Sequence, residues 1–91
     1  MGSVPQFPGA TVCELGSVYD ADTGVSFASR DCSLPDGTAP TAVVDFYTAH
    51  FRRRGWRIDG RTSTSLSAVR GSKSVDVGVR GGTIETIARA R

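Results

Sequence analysis

The stretch PTAVVDFYTAHFRRRGWRID, residues 40–59, decides the reading of this chain. Val43, Phe46, Tyr47, His50 and Phe51 recur at spacings of three and four, which puts them on one face of a helix. Pro40 suits the first turn, where an amide hydrogen has no intrahelical partner to lose. Arg52, Arg53 and Arg54 close the helix, where cations meet the negative end of its dipole. Gly55 then supplies the left-handed residue that stops it. The spacing predicts a helix from Pro40 to Arg54. Trp56 and Ile58 alternate with Arg57 and Asp59, so the chain leaves the helix as a strand.

Toward the C-terminus, Gly60 to Thr64 is a polar turn and Leu66 with Ala68 starts another strand. Arg70-Gly71-Ser72-Lys73 makes a tight hairpin. Val75, Val77 and Val79 alternate with Ser74, Asp76 and Gly78, the clearest strand pattern present. Gly81-Gly82 turns the chain again. Thr83 to Ala90 carries two signals: Ile84, Ile87 and Ala88 fit a helical period, while Thr83, Ile84 and Thr86 favour a strand. The two-glycine link favours a further antiparallel strand.

Toward the N-terminus, Leu34-Pro35-Asp36-Gly37 is a loop and residues 10–30 read as a hairpin. Residues 10–18 alternate loosely. Asp20-Ala21-Asp22-Thr23-Gly24 supplies the turn, through side-chain caps and positive φ. Val25 and Phe27 sit two apart in the second strand. Cys32 shares the parity of Arg30 rather than of Phe27, so keeping both inward needs a kink near Asp31, where the strand is expected to have ended. Val4 to Pro8 is an extended lead-in fixed by Pro5 and Pro8. Met1-Gly2-Ser3 reads as a cloning remnant. Residues 1–9 are thus set apart from a single domain over 10–91. The element order β-β-α-β-β-β-β gives an α+β domain, with one helix on one face of a twisted antiparallel sheet. The valines, Leu66, Phe27 and Trp56 are expected on its inner face.

Ninety-one residues make one domain. Its apolar share of 38% is near the low end for a globular protein, and two aromatic-bearing apolar segments with several alternating stretches able to form a core argue against disorder. No run of about 18 apolar residues is present to span a membrane. Met1 to Pro8 have neither a basic start nor an apolar block, so no signal peptide is read there, and the chain is treated as a mature fragment. Ten of the eleven basic residues are arginine. This bias goes with a GC-rich genome and lowers the weight of any single arginine. Residues 1–45 hold six acids and one base, net −5, and residues 46–91 hold ten bases and three acids, net +7. Packed side by side, the halves give a dipolar surface, and the net +2 is too small to point to nucleic acid.

The two cysteines, Cys13 and Cys32, are expected to form a disulfide, because small exported domains use such a link where the core is thin. Zinc-ligand spacing is absent, as is a Cys-x-x-Cys redox motif. His50, the sole histidine, has Asp45 turned away from it around the helix, so no acid–base pair forms locally. No serine lies in Gly-x-Ser-x-Gly, and the Ser63 to Ser67 cluster reads as a turn and strand edge. Asp20, Asp22 and Gly24 begin like a calcium loop, but Asp31 stands where its closing Glu belongs. Glycines 78, 81 and 82 do not open a helix after a parallel strand, so no nucleotide loop is read. No cofactor, metal or catalytic residue is expected. Arg52-Arg53-Arg54-Gly55-Trp56-Arg57 is the one basic cluster with an aromatic, able in principle to contact phosphates and stack a base.

Phe7-Pro8-Gly9-Ala10, Val43 with Phe46-Tyr47, and Gly55-Trp56 make the chain resemble small bacterial exported or lipoprotein-borne domains of unknown function. Those domains have an aromatic-Pro-Gly-Ala start, a Val-x-x-Phe-Tyr helix and Gly-Trp directly after it. The resemblance spans about Phe7 to Ile87. It implies a sheet-and-helix fold and an envelope or extracellular setting, and it implies no activity. The cysteine pair lies outside the pattern, and the family's lipid-attachment cysteine is missing. These readings converge on a non-enzymatic interaction or accessory domain of an exported or cell-envelope bacterial protein. A protein or envelope component would dock through a sheet edge or through Arg52, Arg53, Arg54 and Arg57, and a homodimer would form through a sheet edge. The alternatives are a nucleic-acid- or anionic-surface-binding module using Arg52 to Arg57, and a small enzyme or enzyme inhibitor.

Overall fold

The helix α1 (Pro40–Arg53) forms where the three-and-four spacing puts it. Pro40 occupies its first turn, and Ala39 precedes it with an extended backbone and no side-chain cap. A Schellman motif ends it. The Gly55 amide donates to the Arg52 carbonyl and the Trp56 amide to the Phe51 carbonyl, with Gly55 at φ 79°. The same turn lays the Trp56 indole against the Phe51 ring, 5.2 Å between centroids. Val43, Val44, Tyr47, Thr48 and Phe51 are buried, with Phe46 and His50 at the margin. The buried face is thus rotated toward Val44 and Thr48 compared with the sequence reading. Thr48 accepts burial because its hydroxyl donates to the Val44 carbonyl at 2.7 Å.

This is a computed structural model. It describes residues 4–91, and Met1-Gly2-Ser3, read above as a remnant, lie outside the described residues. Six strands follow the predicted order around the helix: Thr11–Asp20 (β1), Val25–Ser33 (β2), Arg57–Arg61 (β3), Ser65–Arg70 (β4), Lys73–Arg80 (β5) and Thr83–Ala90 (β6). They make one sheet, ordered β1-β2-β6-β5-β4-β3, with every neighbouring pair antiparallel. The last segment, ambiguous in sequence, is a strand. Gly81 and Gly82 both have positive φ, 56° and 79°, which is the turn whose twist matches a two-residue hairpin. β6 then inserts between β5 and β2, so α1 carries the chain from β2 to the far edge at β3.

Register aligns the core in rows on one face. Cys32, Ile84 and Val79 form one row; Arg30, Thr86, Val77 and Leu66 the next; Ala28, Ala88, Val75, Ala68 and Ile58 a third. α1 packs on β3, β4 and β5. The other end of this face is held by the lead-in, whose Val4 is buried in the core with the adjoining Ala10 and whose Phe7 ring meets Phe46 edge-on at 5.3 Å. Arg30, only 9% exposed, secures it by donating to the Val4 and Pro5 carbonyls at 3.0 and 2.8 Å. Tyr47 donates to the same Pro5 carbonyl at 2.8 Å.

Two sequence expectations for β2 are corrected. Phe27 is not on the inner face, and the strand neither kinks near Asp31 nor ends there. β2 runs unbroken to Ser33 with Arg30 and Cys32 inward, so Phe27 points outward, beside the Arg89 guanidinium at 5.9 Å. Strand parity leaves no third option, because a one-residue slip turns every side chain over. The irregularity sits in the partner strand. β1 bulges between Thr11 and Glu14, with Val12 at φ 52°.

Candidate functional site

The disulfide joins Cys13 on β1 to Cys32 on β2, with Cα atoms 4.1 Å apart. It ties the outermost strand to the core beside the β1 bulge. No helix among the described residues is long and apolar enough to cross a membrane. Among the described residues, no group of three or more His, Cys, Asp or Glu could hold a metal ion. Asp20 and Asp22 build the hairpin turn, in which the Asp22 amide donates to the Asp20 carboxylate at 2.9 Å. The serine cluster is engaged in local bonding, with the Thr62 and Ser65 hydroxyls 2.7 Å apart and Ser67 donating to Asp76 at 2.6 Å.

The basic stretch is divided by the fold. Arg52, Arg53, Arg54 and Arg57 are all exposed. Arg53 and Arg54 line a depression of about 430 Å³ together with His50 and with Arg70 of β4. Arg52 is not among the lining residues. Arg57 lies on the outer side of the edge strand β3, opposite Val69 and 3.7 Å from Asp59. The fold therefore keeps two of the four predicted arginines together and adds Arg70, a residue sixteen positions beyond Arg54 that only the β3–β4 pairing brings near. No acid lines this depression.

A second surface was not singled out in the sequence. β1 is an edge strand of ten residues. Val12, Leu15, Val18 and Tyr19 are 80%, 75%, 65% and 67% exposed. Leu15, Ser17 and Tyr19 share the inner face with Arg30, Ala28 and Ser26, while Glu14, Gly16 and Val18 share the outer face with Asp31, Ser29 and Phe27. On the inner face, beyond the reach of α1, β1 borders a groove of about 390 Å³. Tyr19 and Trp56 stand at its sides, Ser17, Ala28, Ala88 and Ala90 make its floor, and Lys73 lies at one end. The floor is open because its residues are small, and nothing among the described residues packs over them.

On the outer face, Glu14, Asp31 and Glu85 lie in one line across β1, β2 and β6, each directly opposite the next. All three are exposed, and none takes part in an ion pair among the described residues. The arginines that do pair with acids do so elsewhere: Arg89 with Asp76 at 2.8 Å, Arg57 with Asp59 at 3.7 Å, and Arg61 with Asp45. The sequence held one sign of this edge. Apolar residues at 12, 15, 18 and 19 fall on both parities, so no single face of that strand could bury them all. Compared with family models, with curated proteins and with solved structures, the chain matches none.

Proposed function

We propose that the protein is a non-enzymatic interaction domain that works outside the cytoplasm and holds its partner along β1. The exposed, apolar edge strand carries this reading. A sheet edge presents unpaired amides and carbonyls that template another strand, and natural proteins shield such edges with lysine, proline or a covering element. β1 contains neither lysine nor proline. Its bulge interrupts the strand only between Thr11 and Glu14, and the stretch from Glu14 to Asp20 stays in register with β2. Added strands gain affinity from main-chain hydrogen bonds and specificity from alternate side chains, and the groove at Ser17 provides a place for such side chains. The disulfide supports an oxidising compartment, and so does the resemblance to exported bacterial domains.

The test is an NMR titration of the intact, oxidised chain with a neutral strand peptide of alternating threonine and valine. N-methylation of alternate amides leaves that peptide one pairing edge. Shift changes confined to β1, β2 and the groove are expected, with about tenfold weaker binding for the Leu15→Ser, Val18→Ser double variant. No response up to about 1 mM peptide, a free energy near −4 kcal/mol, removes the reading.

A second reading rests on the depression at His50, Arg53, Arg54 and Arg70, which suits a phosphate-bearing polymer or surface. Binding there should fall steeply with salt and be lost in Arg53→Gln, Arg70→Gln. Absence of binding to any polyphosphate at low salt removes it.

A further inference from the structure

We propose that the segment β1 accepts is an extended strand with a basic side chain opposite Glu14 on its outer face and apolar side chains on its inner face. This rests on the reading of β1 as the docking edge. The line of Glu14, Asp31 and Glu85 carries the argument. Like charges directly opposite one another across strands destabilise a sheet, yet three consecutive strands here place a carboxylate at the same level. The row is not closed from inside. Beyond Glu85 the next position is Gly78, which has no side chain, and then Ser65. On the other side the row ends at the open edge. A strand added to β1 sits about 4.8 Å away, and its residue opposite Glu14 becomes the fourth member of the line. A lysine or arginine there meets carboxylates at short range and relieves a repulsion that the free domain carries.

Strand geometry fixes the rest of the pattern. Side chains alternate faces, so the neighbours of that basic residue point to the inner face, beside Leu15, Ser17 and Tyr19. The residue opposite Ser17 looks along a row of small side chains, Ser17, Ala28 and Ala88, into the groove that Trp56 borders. An apolar side chain is what that position accommodates. A second copy of this chain fits poorly, because its own β1 carries Glu14 and Asp20 and no basic residue. Pairing two such strands adds negative charge to negative charge.

Three peptides test this, each alternating with valine and N-methylated on one edge: lysine/valine, threonine/valine and glutamate/valine. Against the oxidised full chain at low salt, lysine/valine should bind about tenfold tighter than threonine/valine, with glutamate/valine weakest. In Glu14→Gln, Asp31→Asn the lysine advantage should shrink to about threefold or less while threonine/valine affinity stays unchanged. Both substitutions are at exposed positions, and the unchanged threonine/valine affinity reports an intact edge. Equal affinity for lysine/valine and threonine/valine overturns the partner chemistry and leaves the edge reading standing. Failure of all three peptides removes the edge reading itself. Equally tight binding of a peptide with its lysines and valines in separate blocks overturns strand addition in favour of diffuse attraction. A dimer in sedimentation that lysine/valine does not disperse overturns it in favour of a second copy.

Discussion

Thr86 shows how narrow the tolerance of this core is at the level of one residue. Its hydroxyl is fully buried between Arg30 and Val77 and meets no hydrogen-bond partner among the described residues. An unsatisfied buried hydroxyl costs about 1–3 kcal/mol, so Thr86→Val should raise stability by about 1 kcal/mol and Tm by about 4–8 °C, read by calorimetry. Tyr47 is the opposite case, buried and bonded to the Pro5 carbonyl. Burial raises its pKa above the ordinary tyrosine value, against the nearby Arg30 charge. The unfolded chain therefore loses this proton first. Tyr47's contribution is complete below about pH 10 and fades as pH rises through the folded-state value. Urea unfolding between about pH 9 and 11 should show wild-type stability falling more steeply than that of Tyr47→Phe. Arg30 and Tyr47 could both be seen in the sequence, but their common purpose could not. They come together at a carbonyl of the lead-in, twenty-five residues from one and forty-two from the other.

Among elements, the helix was the most legible and the first strand the least. Pro40 and Gly55 act through local backbone preferences, and the apolar spacing is readable within about four turns even though its stabilising effect comes from packing on the sheet. Gly55 does its work by backbone conformation alone, since a Cβ there meets nothing within 4 Å. Gly55→Ala should thus cost about 1–2 kcal/mol, the penalty for a left-handed alanine, with no clash added. Urea denaturation followed by Trp56 fluorescence measures it, because Trp56 packs directly on Phe51 within the same cap. β1 gave a weaker signal because an edge strand exposed on both faces has no side to keep apolar. For β2 the large side chain, Phe27, suggested the inner face, whereas the latch and the disulfide chose Arg30 and Cys32. A buried cation with two carbonyl partners and a covalent link outrank one aromatic ring that lies half-buried under Arg89.

For the molecule as a whole, the charge split becomes geometry. The acidic hairpin forms one edge of the sheet, and the basic meander with the end of α1 forms the rest. The helix covers only the β3–β5 side, which leaves the hairpin to be held by β6 and the lead-in, with the disulfide tying its two strands together. Closing a loop between residues 19 apart should contribute about 3 kcal/mol. Cys13→Ala, Cys32→Ala should lower unfolding stability by that amount in urea, with hydrogen exchange rising most in β1, the strand with fewest other attachments.

By itself the sequence determined the class of fold, the helix with both its ends, the strand order along the chain, the turns and the cysteine pair. Each of these follows from contacts or dihedral preferences within a few residues, or from there being two cysteines to join. Tertiary structure alone decided that β6 lies between β2 and β5, which face of β2 is inward, and that Arg70 joins Arg53 and Arg54. It also decided that Glu14, Asp31 and Glu85 stand in one line at an open edge. Those facts depend on register between residues as far apart in the chain as Ser26 and Ala90. Register is set by the best simultaneous packing of the whole inner face, a sum over many side chains that no single stretch of sequence contains.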